Sequence, residues 1–299
     1  MKVTLRKVAS QPSWVIRSSE VELAVTQLGG HMAPVKFYRH RGKGVQPYYI
    51  CPWHGEGRKI PEPVLVPLRG DFFCLPFGAN AATCAGERHR VHGEPAGAKW
   101  RFVSAKKSGG VTSITLRMRT KVRAGTVTKR LSLVEGHNVV YCRHELEGFS
   151  GRMPLGHHAT LAMPDHERSV LVATSPIRYG RTNAVRTGDP AAREYSCLAV
   201  GKKFRTLSRV PLIWSEPAFD DLSSFPARTG FTDILAVFNK PGVFPAWTAA
   251  TFTRQGFVWF SLKDAAVQPT TLLWVSNLSL IHISEPTRPL YISYAVFCL

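Results

Sequence analysis

Thr126-Val-Thr-Lys-Arg-Leu-Ser-Leu-Val134 runs into Glu135-Gly136, and Asn138-Val-Val-Tyr-Cys-Arg-His-Glu-Leu146 follows and stops at Glu147-Gly148. Val127, Leu131 and Leu133 take alternate positions in the first run, with Thr128, Arg130 and Ser132 between them. A period of two presents one apolar and one polar face, which is the pattern of a half-buried strand. Two such runs joined by a short Gly-containing turn form an antiparallel hairpin.

The same reading extends in both directions. Val21 to Gln27 alternates and meets Gly29-Gly30, and Val111 to Arg119 alternates again. Further strands are expected at 169–174, 231–238, 248–253, 257–262 and 271–276. No stretch holds a 3.6-residue period over three turns, and no internal repeat or low-complexity linker divides the chain. The fold class expected is all-β, with antiparallel sheets packed as one large sandwich domain over residues 1–277. Segments 39–70 and 176–197 are rich in Gly, Pro, Arg and Asn, and read as long loops that could wall a site.

The formal net charge is +19, but the cations are scattered through Arg39–Lys43, Arg88–Arg90, Lys106-Lys107, Lys129-Arg130 and Lys202–Arg205. No basic helix, zinc finger or RNA-recognition pattern gathers them, so no nucleic-acid partner is expected. A run of about 18 apolar residues is missing, which argues against a membrane span. Met1-Lys-Val-Thr-Leu-Arg-Lys-Val lacks the apolar core of a secretion signal, so a cytoplasmic location is expected. Cys51, Cys74, Cys84, Cys142 and Cys197 form no CxxC pair, and read as isolated core thiols in a reducing compartment. Cys51-Pro-Trp-His54 lacks a second ligand pair, so no metal site is expected there.

The end of the chain is of a different kind. Leu278-Ser-Leu-Ile-His-Ile-Ser-Glu-Pro-Thr-Arg288 resembles the translation of a transposase-type sequencing adapter, and Ile292-Ser-Tyr-Ala-Val-Phe-Cys-Leu299 resembles that of a flow-cell primer. Residues 278–299 are accordingly expected to be an artefact outside any domain. Loss of a natural last strand would leave a sheet edge unpaired.

Four segments concentrate chemistry: Leu68-Arg-Gly-Asp-Phe-Phe-Cys-Leu-Pro-Phe-Gly78, Val91-His-Gly-Glu-Pro-Ala-Gly-Ala-Lys-Trp100, Leu155-Gly-His-His-Ala-Thr-Leu-Ala-Met-Pro164 and Leu272-Leu-Trp-Val-Ser-Asn277. In these the chain resembles the aldose 1-epimerase (galactose mutarotase-like) family. The landmarks occur in the family's order at Arg69, Pro76-Phe77-Gly78, His92-Gly93, Trp100, His158 and Trp274-Val-Ser-Asn277. Pro47-Tyr-Tyr-Ile-Cys-Pro-Trp53 also looks like a segment of family members. The match covers most of residues 20–277.

The resemblance implies a β-supersandwich fold and interconversion of the α and β anomers of a sugar, neutral or phosphorylated, without cofactor or metal. A base takes the proton of the anomeric hydroxyl while an acid protonates the ring oxygen. The ring opens, the C1–C2 bond rotates, and closure reverses the transfers. Histidine suits the acid step because it exchanges protons near neutral pH. The resemblance gives that role to His158, with His157 as the alternative, because Ala159-Thr160 stands where relatives carry an aromatic pair. His92 would bond the ring oxygen or a neighbouring hydroxyl. Arg69 would donate to hydroxyls, and Phe77 and Trp53 would offer flat faces to the sugar. The family's base is a glutamate beyond Trp-x-Ser-Asn. No residue up to Asn277 matches it, and Glu285 lies in the adapter-like tail, so the chain as written is expected to turn over little.

Adjacent His157 and His158 should point to opposite faces of a strand, so at most one faces a cleft. His31, His40, His54, His89, His137, His144 and His166 show no partner pattern and read as ordinary. Arg69-Gly-Asp71 matches an adhesion tripeptide by letters only, and Asp220-Asp221 reads as an ordinary loop pair. The rival from another class is a carbohydrate-binding or regulatory β-sandwich without catalysis.

Overall fold

The computed structural model describes residues 1–57, 59–192, 194–226, 230–277 and 294–298, the last as backbone. The chain divides into two compact units, Met1–His158 and Ala159–Leu299.

The first unit carries β1 (Arg6–Val8), β2 (Gln11–Arg17), β3 (Glu22–Thr26), β4 (Met32–Lys36), β5 (Asp71–Cys74), a single helical turn α1 (Glu94–Gly97), β6 (Arg101–Ser108), β7 (Val111–Thr120), β8 (Gly125–Val134), β9 (Tyr141–Glu147) and the start of β10 (Gly156–Ala162). Strands β1 to β5 follow one another in one sheet, with β10 next to β5, and β6 to β9 form a second sheet in sequence order. The hairpin expected from Thr126 to Leu146 is β8–β9, antiparallel, with Ser132 opposite Tyr141 and Thr126 opposite Glu147. Its buried apolar residues are Val127, Leu131 and Leu133, the apolar positions of the alternation, and Thr128 and Lys129 are buried with them.

The second unit holds β11 (Val170–Thr174), β12 (Ile177–Thr182), β13 (Lys203–Phe204), β14 (Val210–Pro211), β15 (Phe219–Asp220), β16 (Ser224–Phe225), β17 (Phe231–Asn239), β18 (Ala246–Phe252), β19 (Phe257–Lys263), β20 (Thr270–Asn277) and β21 (Tyr294–Cys298). One sheet runs β16-β11-β18-β19, and another places β13, β12, β17, β20 and β21 side by side. All the pairings with a described register are antiparallel. Among the described residues no helix is long and apolar enough to cross a membrane.

Three expectations need correction. Segment 176–197 is not one loop, because Ile177–Thr182 pairs with β17 from Ile177↔Asn239 to Thr182↔Leu235. The free edge expected at β20 is occupied, since Tyr294–Cys298 pairs with it from Leu272↔Cys298 to Ser276↔Tyr294. Tyr-Ala-Val-Phe-Cys is a strand-forming run whatever its origin. The rest of the adapter-like tail, Glu285 included, lies outside the described residues. Of the five cysteines read as core thiols, only Cys51 and Cys74 are fully buried, and Cys84 is exposed.

The core of the first unit is held by a stack of rings. Phe72, which is 0% exposed, lies against His31 at 4.1 Å and 10° and against His158 at 4.4 Å and 19°. His31 donates from Nε2 to the Ala96 carbonyl at 2.9 Å. Its Nδ1 accepts the Arg69 N–H at 3.3 Å. Both ring nitrogens are used by backbone, so this histidine is a neutral strut between three segments.

Phe72→Ala should cost about 3–5 kcal/mol of unfolding free energy, read from chemical denaturation, because it removes the ring between two imidazoles. A loss below 1 kcal/mol would contradict the stack. Acid should weaken the fold by a separate route. Burial lowers His31 from 6.5 to about 3 and His92 from 6.5 to about 4. The unfolded chain therefore binds more protons between those values and 6.5. The contribution of the neutral rings is complete above pH 6.5 and is lost as the pH falls through this window. The slope is on the order of 1.4 kcal/mol per pH unit for each ring. Urea midpoints should drop steeply from pH 6.5 to 5, and a flat profile would show that the rings are solvated.

Candidate active site

Strand alternation sorts the site. Phe72 on β5 meets His158 of β10 on one face, while Asp71 and Phe73 meet His157 on the other. Phe73 and His157 are 5.7 Å apart edge to face. Asp71 Oδ1 accepts from His157 Nδ1 at 2.9 Å. The adjacent histidines thus point in opposite directions, as a period of two requires.

His92 reaches the Phe72 face from a turn. Its backbone is left-handed at φ 58, followed by Gly93 at φ 76. A Cβ on Gly93 would stand 1.9 Å from the Leu75 carbonyl oxygen, so only glycine permits this approach. The turn is tied to the segment after β5 by Leu75 N–H to the His92 carbonyl at 3.2 Å and His92 N–H to the Gly78 carbonyl at 2.8 Å. These bonds explain the His-Gly pairing: one residue carries the ring, and the next lets the chain pass.

The His92 ring then lies 4.7 Å from His158, 5.3 Å from half-buried Phe77 and 5.9 Å from Phe72. Its Nδ1 is buried with no hydrogen-bond partner. Burial is the main cause that lowers both His92 and His158. Each ring is therefore neutral at neutral pH, with one N–H donor and one lone pair.

Arg69 lies fully buried beside this cluster. Its guanidinium donates to the carbonyls of Pro67 at 2.9 Å, Val8 at 3.3 Å and Ala9 at 3.0 Å. Gly70 follows at φ 54, and a Cβ there would meet the Met32 carbonyl oxygen at 1.8 Å. The arginine thus pins the chain entering β5, and its contacts are backbone carbonyls. Trp53 sits half-buried in a 3-10 turn, Pro52–Gly55. It donates from its indole to the Leu65 carbonyl at 2.9 Å. Among the described residues no ring contact joins Trp53 to either histidine. Of the five expected site residues, the structure brings His92, His158 and Phe77 into one cluster.

The second unit contains a cavity of about 500 Å³, lined by Glu167, Arg168, Cys197, Trp214, Asp220 and Asp233 among others. This lies within the size range of small-molecule pockets. Asp233 is held by the N–H groups of Cys197 at 2.9 Å and Leu198 at 3.3 Å, and by the Cys197 thiol at 3.3 Å. Burial is the largest influence on its carboxyl and raises it. Asp220 is paired with Arg168 at 2.6 Å, and Asp221 caps Ser223. Asp233 and Trp214 were invisible in the sequence, where an aspartate inside a strand pattern carries no signal. In the Trp-Val-Ser-Asn segment, Trp274 donates from its indole to Thr232 Oγ1 at 2.9 Å.

The chain matches no protein-family model and no curated protein. Its structure resembles that of the mutarotase candidate YeaD of Salmonella typhimurium with a TM-score of 0.64 at 11% identity, covering 99% of this chain and 85% of the other. It resembles a galactose mutarotase-like protein from Clostridium acetobutylicum with a TM-score of 0.60 at 12% identity, over 100% and 87% of the two chains. For a galactose mutarotase related enzyme from Lactobacillus acidophilus the TM-score is 0.58 at 11% identity, over 96% and 84%. At this identity the likeness defines the fold: the chain has the galactose mutarotase-like fold.

Proposed function

We propose that this protein is a sugar mutarotase of the aldose 1-epimerase type, with His158 and His92 as its catalytic histidines. The observation that carries the reading is the His92 ring: its Nδ1 is buried and unbonded among the described residues, beside a second imidazole and half-buried Phe77. A buried polar atom without a partner is costly, and a ligand hydroxyl or ring oxygen would satisfy it. Phe77 supplies a flat apolar surface next to it, as sugar rings require.

In this reading a base takes the O1 proton, the C1–O1 bond becomes a carbonyl and the bond from C1 to the ring oxygen breaks. His158, which takes up a proton when the sugar and the carboxylate base enter the cluster, delivers that proton to the ring oxygen as imidazolium and takes it back on closure. His92 donates to the ring oxygen or an adjacent hydroxyl and fixes the sugar relative to His158. The base is a carboxylate, which the family resemblance places after Asn277. Phe77 is the substrate-facing aromatic. Trp53 and Arg69 act at one remove, through the loops they hold. A neutral aldose fits better than a phosphorylated one, because the Arg69 charge is already bonded to three carbonyls.

Exchange between anomers, measured by nuclear magnetic resonance across a panel of aldoses at high protein concentration, tests the proposal. At least one sugar should exchange faster than in buffer, with saturation. His158→Ala should lower that acceleration about 10²–10⁴-fold, as expected for loss of a general acid. His92→Ala should lower it too and weaken binding. A rate equal to buffer together with no saturable binding for every aldose, or an acceleration untouched by both substitutions, sinks the assignment.

A further inference from the structure

The opposite face of β5 and β10 carries a second cluster that the sugar chemistry does not use. Cys142 and His144 stand two apart on β9, so their side chains share a face. They meet His157 of β10, and the donor atoms of the three residues lie within 4.8 Å of one another. The Cys142 sulfur is 3.9 Å from His144 Nδ1. His144 and His157 have ring centroids 4.9 Å apart.

We propose that Cys142, His144 and His157 form a binding site for a zinc-like transition-metal ion. One thiolate and two imidazoles are the donor set that borderline divalent ions prefer. Zinc bonds of about 2.3 Å to sulfur and 2.0–2.1 Å to nitrogen imply donor separations of roughly 3.3–3.7 Å. The three side chains must therefore close in by about an ångström.

Two further observations point to an ion. Asp71 accepts from His157 Nδ1 at 2.9 Å, which puts the proton there and leaves the Nε2 lone pair for a ligand bond. A carboxylate behind a metal-binding histidine is the recurrent way of fixing that tautomer. On the other side, the His144 ring is held flat against Phe73 at 4.0 Å, with Nδ1 turned to the Cys142 sulfur. An imidazole locked in place with that nitrogen beside the thiol is positioned for a shared metal ion. The neighbouring cation, Lys129, faces His144 in the strand register. It is turned to the Gly30 carbonyl at 2.6 Å, and Asp71 and a Cys142 thiolate would balance its charge. With three protein donors the fourth position belongs to water. The ion would tie β9 to β10, joining the two sheets of the first unit.

The test uses the purified full chain, stripped with a chelator and titrated with Co²⁺. One equivalent should bind and produce a thiolate-to-cobalt charge-transfer band, which Cys142→Ser should abolish. Asp71→Asn should keep the band and weaken affinity about 10–100-fold, as other outer partners do. Absence of saturable binding, or a band that survives Cys142→Ser, overturns the site. Should either variant misfold by circular dichroism, alkylation of the wild-type chain decides. Zn²⁺ should protect Cys142, located by peptide mass mapping, while exposed Cys84 reacts as before. Equal labelling of Cys142 with and without Zn²⁺ would rule the proposal out.

Discussion

One phenylalanine ring between two imidazoles organises the first unit. Phe72 has no exposed surface, and its two faces are covered by His31 and His158 at 4.1 and 4.4 Å. Ring stacking of this kind demands near-parallel planes, so the positions of β5 and β10 and of the segment carrying His31 are mutually determined. His31 transmits that constraint through both of its nitrogens, to Ala96 before Trp100 and to Arg69 before β5. The site histidine His158 is thus placed by a stack whose other members never need to touch a sugar.

The basic excess of the chain is partly consumed inside. Arg69 caps three carbonyls, Lys129 caps Gly30 at 2.6 Å and Lys263 caps Thr270 at 2.6 Å. Strand ends and turns leave carbonyls without ladder partners, and a long cationic side chain reaches them where water cannot. Burial lowers the proton affinity of Arg69 and Lys129. The Arg69 charge is held by three carbonyl oxygens, and that of Lys129 by the Gly30 carbonyl with Asp71 nearby. A net charge of +19 therefore says less about partners than its size suggests.

The sequence was legible where a strand has one wet face. Strands β7, β8, β11 and β17 to β20 show alternation and were found within a few residues. Strand β5 was not, because Asp71, Phe72, Phe73 and Cys74 are all buried and a strand covered on both faces has no period to read. Strand β10 is nearly as covered, and β12 hides in a run of Arg, Gly and Asn. Strands β5 and β10 carry Phe72 and His158 of the candidate site, so the resemblance, not the periodicity, pointed to His92 and His158. For Arg69 and Trp53 the letters gave residue type and not partners: their N–H donors meet backbone carbonyls, which no pattern of letters reveals. Cys142 and His144 read as ordinary because their partners, Asp71 and His157, lie far along the chain.

The proposed reaction gives the proton-donor role to His158 and not His157, and the reason is what its neighbour already does. An imidazole can serve a substrate only on the face of the strand where the substrate lies. His157 Nδ1 is occupied by Asp71, and that ring lies on the Phe73 face with His144. His158 shares its face with His92, whose unbonded nitrogen and adjacent Phe77 mark where a polar, flat-sided ligand would gain most. Moving the role to His157 would require β10 to slip by one residue. That shift would turn both rings over together and break the Phe72 stack, so the register that holds the core also decides which histidine can act.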